Sequence, residues 1–206
     1  MTKSDHQIED ESGLRAGMRL LPDEFMERYR DEPDLWAELL NGVVRVDPPR
    51  KFTKGTACGT LSGWLGYYAA YRDGVEGLPR VSLFLGEHRL QPDVLLMRRK
   101  GGTASVRKDG FVHGPPELIC EVADDDDALE VGEKTAAYQA NGVTEFIVWH
   151  VHGEQRLDWY VLDDGRYREI TPDRDGILTS TVFPGLRLDR PALLRGDMAA
   201  VLVALS

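Results

Sequence analysis

The sequence has little that would cross-link the chain or anchor it in a membrane. Its 206 residues include only two cysteines, Cys58 and Cys120, with neither paired spacing nor nearby histidines of a zinc site. No apolar run approaches the roughly 18 residues of a membrane-spanning helix, and the first residues lack an apolar stretch of signal-peptide type. These absences favour a reducing cytoplasm, no membrane contact, and both thiols as small core residues.

Positive charge is also scarce. Lysine and arginine number 25 against 35 aspartates and glutamates, which gives a formal net charge of −10. This balance argues against a protein that coats nucleic acid non-specifically, because such binding needs many cationic contacts to phosphates. It still permits an enzyme that touches nucleic acid locally. Part of the negative charge would suit a carboxylate cluster neutralised by a divalent cation.

Length and composition predict one globular domain. Hydrophobic residues make up 42% and charged residues 29%, an ordinary mix for a globular protein that buries a sizeable core. No internal repeat or low-complexity linker divides the chain. We expect a disordered N-terminal tail over residues 1–18, because its first twelve residues are polar and partly acidic, and a single domain over residues 19–206.

Turn residues predict two β-hairpins. Apolar residues 36–40 and 43–46 flank Asn41-Gly42, a pair that tolerates the positive φ angles of a tight turn. Residues 156–162 and 166–170 flank Asp163-Asp164-Gly165 in the same way. The second hairpin is more polar, which predicts a position at the edge of a sheet.

Helices and strands alternate between the hairpins. Apolar residues at three- and four-residue steps predict a core-facing helix over 56–71, and we interpret Gly59, Gly63 and Gly66 as sites where it packs closely on a sheet. Further helices are predicted at 21–29, 129–141 and within 191–205, strands at 80–85, 92–97, 117–122 and 145–151, and an exposed loop at 99–113. This order predicts a mixed α+β fold, with a central mixed sheet flanked by helices and hairpins near the two ends of the chain.

Two carboxylates lie inside runs that are otherwise apolar. Asp93 begins the run 93–97, and Glu121 ends the apolar run 118–120. A buried carboxylate is costly unless it is paired, hydrogen-bonded or bound to a metal. Acids on neighbouring strands suit a hard cation, since Mg²⁺ takes one or two carboxylates together with water and substrate phosphate.

Glu38 and Lys134 are two further candidates. Glu38 lies in the first predicted hairpin, on the face opposite to that of Leu39. Lys134 lies on the predicted helix that follows the Glu121 strand. If the stripe that includes Lys134 packs on the sheet, the lysine is aimed towards Glu121, where it could position the attacking water. That stripe is Val131, Lys134 and Tyr138, and it competes with a second apolar stripe, Leu129, Ala136 and Ala140.

Five segments in this order resemble a known family. They are Glu38-Leu39-Leu40-Asn41-Gly42, Gln91-Pro92-Asp93-Val94, residues 115–122 (PPELICEV), residues 132–138 (GEKTAAY) and residues 142–146 (GVTEF). Pro92-Asp93 followed by Glu121 resembles the PD-(D/E)xK nucleases. The finer pattern is similar to the bacterial Uma-type restriction endonuclease family, over roughly residues 21–194.

The resemblance implies a restriction-endonuclease-like fold and a metal-dependent endonuclease acting on DNA. PD-(D/E)xK enzymes normally carry a lysine two residues after the second acid, where this chain has Ala123. In the Uma-type branch the lysine has moved to the helix, which implies that Lys134 fills that role. The implied ligands of Mg²⁺, or alternatively Mn²⁺, are Asp93, Glu121 and the main-chain carbonyl of Val122, with Glu38 as an additional acid.

The sequence departs from the family pattern at three places. Lys54 stands where a histidine is usual near the start of the long helix. An acidic run, Asp124–Asp127, replaces a Ser-Pro-Ser type segment, and we interpret it as a solvated loop because it lacks the spacing of a calcium loop. His150 stands where an acid is usual. These departures bear on substrate preference and on the level of activity.

Each candidate also has a structural interpretation of its own. Glu38 could be a strand-edge carboxylate satisfied by backbone donors, Asp93 a turn residue, Glu121 the partner of a buried base and Lys134 a solvated helix lysine. Cations of the 98–108 segment could contact phosphates or merely solubilise a loop. Two functions therefore stay open: a cytoplasmic, metal-dependent endodeoxyribonuclease, and a catalytically weak or inactive nuclease-fold module that binds nucleic acid or protein. If the enzyme cuts duplex DNA, we expect a homodimer with one site for each strand.

Overall fold

Five helices and fourteen strands make up the described part of the chain, which is residues 13–32, 34–124 and 128–205 of a computed structural model. In chain order they are α1 (Pro22–Tyr29), β1 (Ala37–Leu40), β2 (Val43–Val46), α2 (Phe52–Ala70), β3 (Val75–Pro79), β4 (Leu83–Leu85), β5 (His88–Leu90), β6 (Val94–Arg98), β7 (Ser105–Val106), β8 (Val112–His113), β9 (Leu118–Ala123), α3 (Ala128–Ala140), β10 (Glu145–His150), β11 (Arg156–Asp163), β12 (Arg166–Glu169), β13 (Ile177–Thr179), β14 (Arg187–Asp189), α4 (Arg190–Leu194) and α5 (Met198–Val203).

A six-stranded mixed sheet lies at the centre of the fold. Its strand order is β12-β11-β10-β9-β6-β3, with β9 and β10 parallel and all other pairs antiparallel. Both faces of this central sheet are covered, which explains the nearly continuous apolar runs of β6, β9 and β10. One face packs on α2 and the C-terminal elements, through side chains such as Trp64 and Trp159.

The opposite face of the central sheet packs on α3 and on a second, outer sheet. The outer sheet has the order β2-β1-β5-β4-β8-β7. Leu40 of β1 joins the apolar cluster beneath α3, whereas Leu39 joins a separate cluster with Phe25 of α1. Because side chains two apart on a strand share a face, Glu38 is directed with Leu40 towards the central sheet.

The structure confirms the predicted mixed α+β class and most of the predicted elements. Asn41 and Gly42 have φ angles of 54° and 72°, so the first hairpin has the tight turn that its sequence predicts. The second hairpin is β11–β12, with β12 at the edge of the central sheet. The C-terminal apolar stretch forms two short helices, α4 and α5, and the predicted 99–113 loop includes the short strands β7 and β8.

Contrary to the prediction, the missing side chains of the three α2 glycines are not what allows α2 to pack closely on the sheet. A Cβ atom added at Gly59 or Gly66 would meet nothing within 4 Å, and at Gly63 it would meet Met198 Cε at 3.6 Å rather than the sheet. The close approach occurs from the other side. A Cβ at Gly77 of β3 would lie 3.4 Å from backbone atoms of Leu65 and Gly66.

Residues 13–18 do not form part of a disordered tail. Leu14 is buried with α1 and the first hairpin. The amide of Gly17 donates to the carbonyl of Val44 at 2.8 Å, and the amide of Val44 donates to the carbonyl of Met18 at 2.8 Å. Residues 1–12 of the predicted tail lie outside the described residues. Within the described ranges, no helix combines the length and the apolar character needed to cross a membrane.

Candidate active site

A buried lysine lies between two buried glutamates where α3 crosses the seam between the two sheets. Lys134 Nζ is 2.8 Å from Glu38 Oε2 and 3.6 Å from Glu121 Oε1. Glu38 comes from β1 of the outer sheet, and Glu121 comes from β9 of the central sheet. The stripe of α3 that includes Lys134 therefore faces the sheets. The ion pair between Arg45 of β2 and Glu133, at 2.7 Å, holds this turn of the helix against the first hairpin.

Asp93 completes the group of acids. It immediately precedes β6, and its Oδ2 accepts a hydrogen bond from the amide of Val122 at 2.8 Å. Since Val122 follows Glu121 directly, this bond fixes Asp93 beside the strand that carries Glu121. Glu38, Asp93, Glu121 and Lys134 are each only 2–6% exposed. The structure thus brings the four sequence-predicted side chains into one buried region.

Glu38 is held by the chain that connects the two sheets. Its Oε1 accepts from the amide of Gln91 at 2.6 Å. The Gln91 side chain donates to the hydroxyl of Tyr29 at 2.7 Å, so α1 also supports this connection. The backbone donor agrees with one structural interpretation of Glu38, but its second oxygen faces Lys134. Glu38 therefore both joins the sheets and orients the lysine.

The pKa of Glu121 reflects both its burial and the charged side chains around it. The pKa of Glu121 is raised to about 8, chiefly by burial; the Lys134 charge lowers it, the negative charges of Asp93 and Glu38 raise it, and the Tyr138 hydrogen bond lowers it. A carboxyl group in this position favours a proton or another cation nearby. Strongly perturbed carboxyl groups of this kind are common at functional sites.

Tyr138 and Arg50 are two site residues that sequence reasoning missed. The Tyr138 hydroxyl donates to Glu121 Oε1 at 2.5 Å. Its place on the Lys134 stripe could have indicated this contact, but the stripe was interpreted only as packing. Arg50 Nη2 lies 2.5 Å from Asp93 Oδ1, and its Nη1 lies 3.0 Å from Cys58 Sγ. Nothing in the local sequence around Arg50 indicates a partner 43 residues away.

The Cys58 thiol beside Asp93 is an unreactive neighbour. Burial raises the pKa of Cys58 to about 12, with a further contribution from the Asp93 charge, whereas Arg50 and Lys54 lower it. The thiolate is the nucleophilic and metal-binding form of cysteine. The buried location of both cysteines agrees with their predicted role as small core residues.

Asp93 and Glu121 fit a Mg²⁺ site in their chemistry. Both supply carboxylate oxygens, and Tyr138 and Lys134 contact Oε1 of Glu121 rather than Oε2. No group of three or more His, Cys, Asp or Glu side chains with metal-binding geometry occurs among the residues that the structure describes. Mg²⁺ does not require one, because one or two carboxylates plus water and substrate phosphate are its usual ligands. A cation at Asp93 Oδ1 would displace Arg50.

The positions where the sequence departs from the family pattern lie at the start of α2, directly after β9 and at the end of β10. Asp124 contacts Lys51 at 3.1 Å and His152 at 2.7 Å, while residues 125–127 of the acidic run lie outside the described residues. His150 Nε2 is 3.2 Å from an Arg156 nitrogen and 3.9 Å from Asp158. Burial lowers the pKa of His150, so the ring is mainly neutral at pH 7. His150 therefore does not supply the negative charge of the acid that is usual there.

Two cavities lie near the start of α2. The smaller, of about 170 Å³, adjoins the acid group and is lined by Asp47, Pro48, Pro49, Arg50, Lys51, Lys54 and Asp124. The larger, of about 410 Å³, is lined mainly by apolar and hydroxyl side chains such as Phe52, Thr56 and Trp149. None of the four candidate site residues lines the larger cavity, so its size does not identify the chemistry.

Comparison with known proteins supports a nuclease-like assignment. A family model described as "Uma2: Putative restriction endonuclease" matches residues 22–191. A solved structure of a putative nuclease belonging to DUF820, from Anabaena variabilis, superposes with a TM-score of 0.66 at 12% identity, and covers 91% of this chain and 99% of that chain. At this identity the likeness shows the fold alone. No curated protein matches the chain.

Proposed function

Because the chain belongs to the Uma2 family of putative restriction endonucleases, we propose that it hydrolyses phosphodiester bonds of DNA with the help of Mg²⁺ or Mn²⁺. The observation that carries this proposal is the buried ammonium group of Lys134 between Glu38 and Glu121. Asp93 is hydrogen-bonded to the amide of Val122, the residue that follows Glu121. Burying three acids is costly unless they are paired, hydrogen-bonded or bound to a metal. Metal-assisted phosphodiester hydrolysis uses this set of groups.

Asp93 and Glu121 would hold the cation, together with the main-chain carbonyl of Val122. The bound cation would lower the pKa of water and offset negative charge on the scissile phosphate. Tyr138 positions one oxygen of Glu121 through its hydroxyl. Such a supporting hydrogen bond fixes the orientation of a ligating carboxylate.

Lys134 would act on the nucleophile and the phosphate. Its ammonium group has no acceptor capacity, so it donates hydrogen bonds to the attacking water or to a phosphate oxygen. Glu38 holds Nζ at 2.8 Å, which restricts the lysine to one orientation. Residue 123, where related nucleases carry the catalytic lysine on the strand, is alanine. The contact with Glu38 would allow Lys134 to take over this catalytic role from helix α3.

The substrate and assembly are part of the same proposal. A restriction-type enzyme acts on DNA, and cutting both strands of a duplex is most simply achieved by a homodimer with one site for each strand. A cytoplasmic location fits this substrate and the two free thiols, Cys58 and Cys120.

The direct test is cleavage of plasmid and single-stranded DNA with Mg²⁺ or Mn²⁺. We expect Glu121→Gln and Lys134→Met to reduce the cleavage rate by about 100-fold or more, in the range found when a transition-state donor is removed. Glu145→Gln is the matched control, because Glu145 is a buried carboxylate on the adjacent strand β10 that bonds to Ser180 and Thr181 instead. Circular dichroism would verify folding of each variant. Equal cleavage by all four proteins would contradict the assigned site.

A non-catalytic module is the second candidate function. The Arg50–Asp93 ion pair favours it, because a guanidinium group already neutralises one proposed metal ligand. Calorimetric titration with Mn²⁺ separates the two candidates. A wild-type protein that neither binds Mn²⁺ nor cleaves any DNA substrate would belong to the second class.

A further inference from the structure

The small cavity beside the acid group has the lining of an anion site. Arg50, Lys51 and Lys54 contribute three cationic side chains to a space of about 170 Å³. One water molecule takes up about 30 Å³ of liquid water, and a phosphate group is a few times larger. The cavity volume is therefore sufficient for one phosphate group. The lining also contains two carboxylates, Asp47 and Asp124, so its cations exceed its acids by one, and such an excess attracts anions locally.

The two carboxylates that line the cavity have cationic partners. Asp47 contacts Arg80 at 3.3 Å, and Asp124 contacts both His152 at 2.7 Å and Lys51 at 3.1 Å. Arg80 does not line the cavity. Part of the negative charge of Asp47 is therefore balanced from outside it.

Arg50 connects the cavity with the proposed site of hydrolysis. Its side chain lines the cavity, and its Nη2 contacts Asp93 Oδ1. An anion in the cavity would consequently lie next to a phosphate that is being hydrolysed at Asp93 and Glu121.

The backbone at the cavity also suits an anion. Helix α2 begins after Lys51, its N-terminal residue receives no side-chain cap, and its first turn contains no acidic residue. The exposed N–H groups of a helix start favour negative charge. Since Lys51 and Lys54 at the start of α2 line the cavity, the dipole of this helix adds to the charge of the three side chains.

We propose that the cavity lined by Arg50, Lys51 and Lys54 is a subsite for one phosphate of the nucleic-acid backbone, adjacent to the phosphate that is cleaved. This assignment rests on the proposed nuclease function for the identity of its ligand. It gives the chain a positioning contact that fixes the register of the strand in the site. Phosphate contacts of this kind position a nucleic acid without reading its sequence.

The test uses Lys51→Gln/Lys54→Gln, because these lysines line the cavity without contacting Asp93. The double variant Lys100→Gln/Lys108→Gln is the matched control. It removes the same charge from two exposed lysines of the 99–108 segment, which is the alternative phosphate-contacting region. Arg50 is left unchanged, since its substitution would also disturb the acid group.

Two probes are used on the full chain without divalent metal. Inorganic phosphate is titrated at constant ionic strength and followed by the ¹H–¹⁵N signals of residues 50–54. A fluorescent single-stranded oligonucleotide is titrated at several salt concentrations and followed by anisotropy. For the Lys51/Lys54 variant we expect about 10-fold weaker binding of both probes, and a salt slope smaller by about 0.7, which corresponds to one lost phosphate contact on a single strand. The control variant should bind both probes as the wild type does.

The outcomes separate this proposal from the nuclease proposal. Equal affinities in the Lys51/Lys54 variant and the wild type, or phosphate-induced shifts confined to other residues, would overturn the subsite even if the wild type cleaves DNA. Weakened phosphate binding in that variant alone would support the subsite even if the wild type cleaves nothing. A loss of oligonucleotide binding in the control variant of the same size would assign the contact to the 99–108 segment and overturn the proposal.

Discussion

At the scale of single residues, Glu121 connects stability with function. Its pKa is raised to about 8, chiefly by burial. Between its ordinary pKa and this value, the folded protein retains a proton that the unfolded chain releases. The metal-free protein therefore loses stability as the pH rises through this window, and a cation bound at Glu121, as proposed, would offset this loss.

Glu121→Gln should stabilise the metal-free protein at pH 8. The amide removes the ionisation, and Lys134 retains Glu38 as a partner at 2.8 Å. Since one pKa unit corresponds to about 1.4 kcal/mol, we expect a gain of at least ~1 kcal/mol at pH 8 and almost none at pH 4.5. Urea unfolding at both pH values measures this difference. Lower stability of the variant at pH 8 would contradict the prediction, and the exposed Glu76→Gln serves as control.

Tyr138→Phe should weaken metal binding without abolishing it. The Tyr138 hydrogen bond lowers the pKa of Glu121, so its loss raises the proton affinity of that carboxyl group and frees its orientation. We expect about a 10-fold loss of Mn²⁺ affinity, at the low end of effects seen for residues that support a metal ligand. Calorimetric titration at pH 7 measures it. Tyr160→Phe, which removes a tyrosine hydroxyl on the same side of the central sheet, should leave the Mn²⁺ affinity unchanged.

The sequence indicated the acids and the lysine more readily than their supporting residues. Asp93 and Glu121 interrupt apolar runs, and the spacing of Glu38 and Lys134 resembles a known family. Arg50 lacks such a signal, because it follows two prolines and its partner Asp93 is distant in sequence. A tertiary ion pair between distant segments leaves no periodic pattern.

At the scale of elements, turn chemistry was predictable and short edge strands were not. Asn41-Gly42 specifies the first hairpin through its positive φ angles. Strand β3 was missed because Gly77 and Pro79 are unfavourable in a strand interior, yet they are tolerated at the edge of the central sheet where β3 lies. Which strand lies at an edge depends on the assembled sheet, so local sequence does not reveal it.

Two glycine substitutions test the helices that carry the site. Gly59 lies in α2 and Gly142 follows α3 with a φ of 83°, and an added Cβ would meet nothing within 4 Å at either position. Gly59→Ala should raise the free energy of unfolding by about 1 kcal/mol, as expected for alanine in a helix. Gly142→Ala should lower it by about 1 kcal/mol, because alanine is strained at positive φ. Chemical denaturation of both variants measures the difference, and effects of equal sign would contradict this explanation.

At the scale of the whole molecule, the site joins two sheets that the sequence predicted as one. Glu38 belongs to the outer sheet and Glu121 to the central sheet, whereas Asp93 immediately precedes strand β6 of the central sheet. The partition into two sheets was not predictable, because the outer strands β4, β5, β7 and β8 have only two or three residues each. A cation that binds at this seam should stabilise the entire fold.

Mn²⁺ should accordingly raise the melting temperature of the wild type. A ligand present at 100 times its dissociation constant adds about 2.7 kcal/mol, which corresponds to a rise of about 5–10 °C for a chain of this size. Asp93→Asn should abolish most of this rise, and Glu76→Gln, which changes an exposed carboxylate paired with Arg99, should preserve it. Differential scanning calorimetry with and without Mn²⁺ measures the effect. An equal rise in Asp93→Asn would place the cation elsewhere.

The amides of Gln91 and Val122 each donate a hydrogen bond to a carboxylate of the site, Gln91 to Glu38 at 2.6 Å and Val122 to Asp93 at 2.8 Å. An amide proton responds to the electron density of its acceptor, so whatever binds or protonates either acid also changes the magnetic environment of that amide. The backbone therefore contains two native spectroscopic reporters, one in the connection between the sheets and one in strand β9. Resonance assignment of these two positions would allow the occupancy of each acid to be followed separately, without a label in the site.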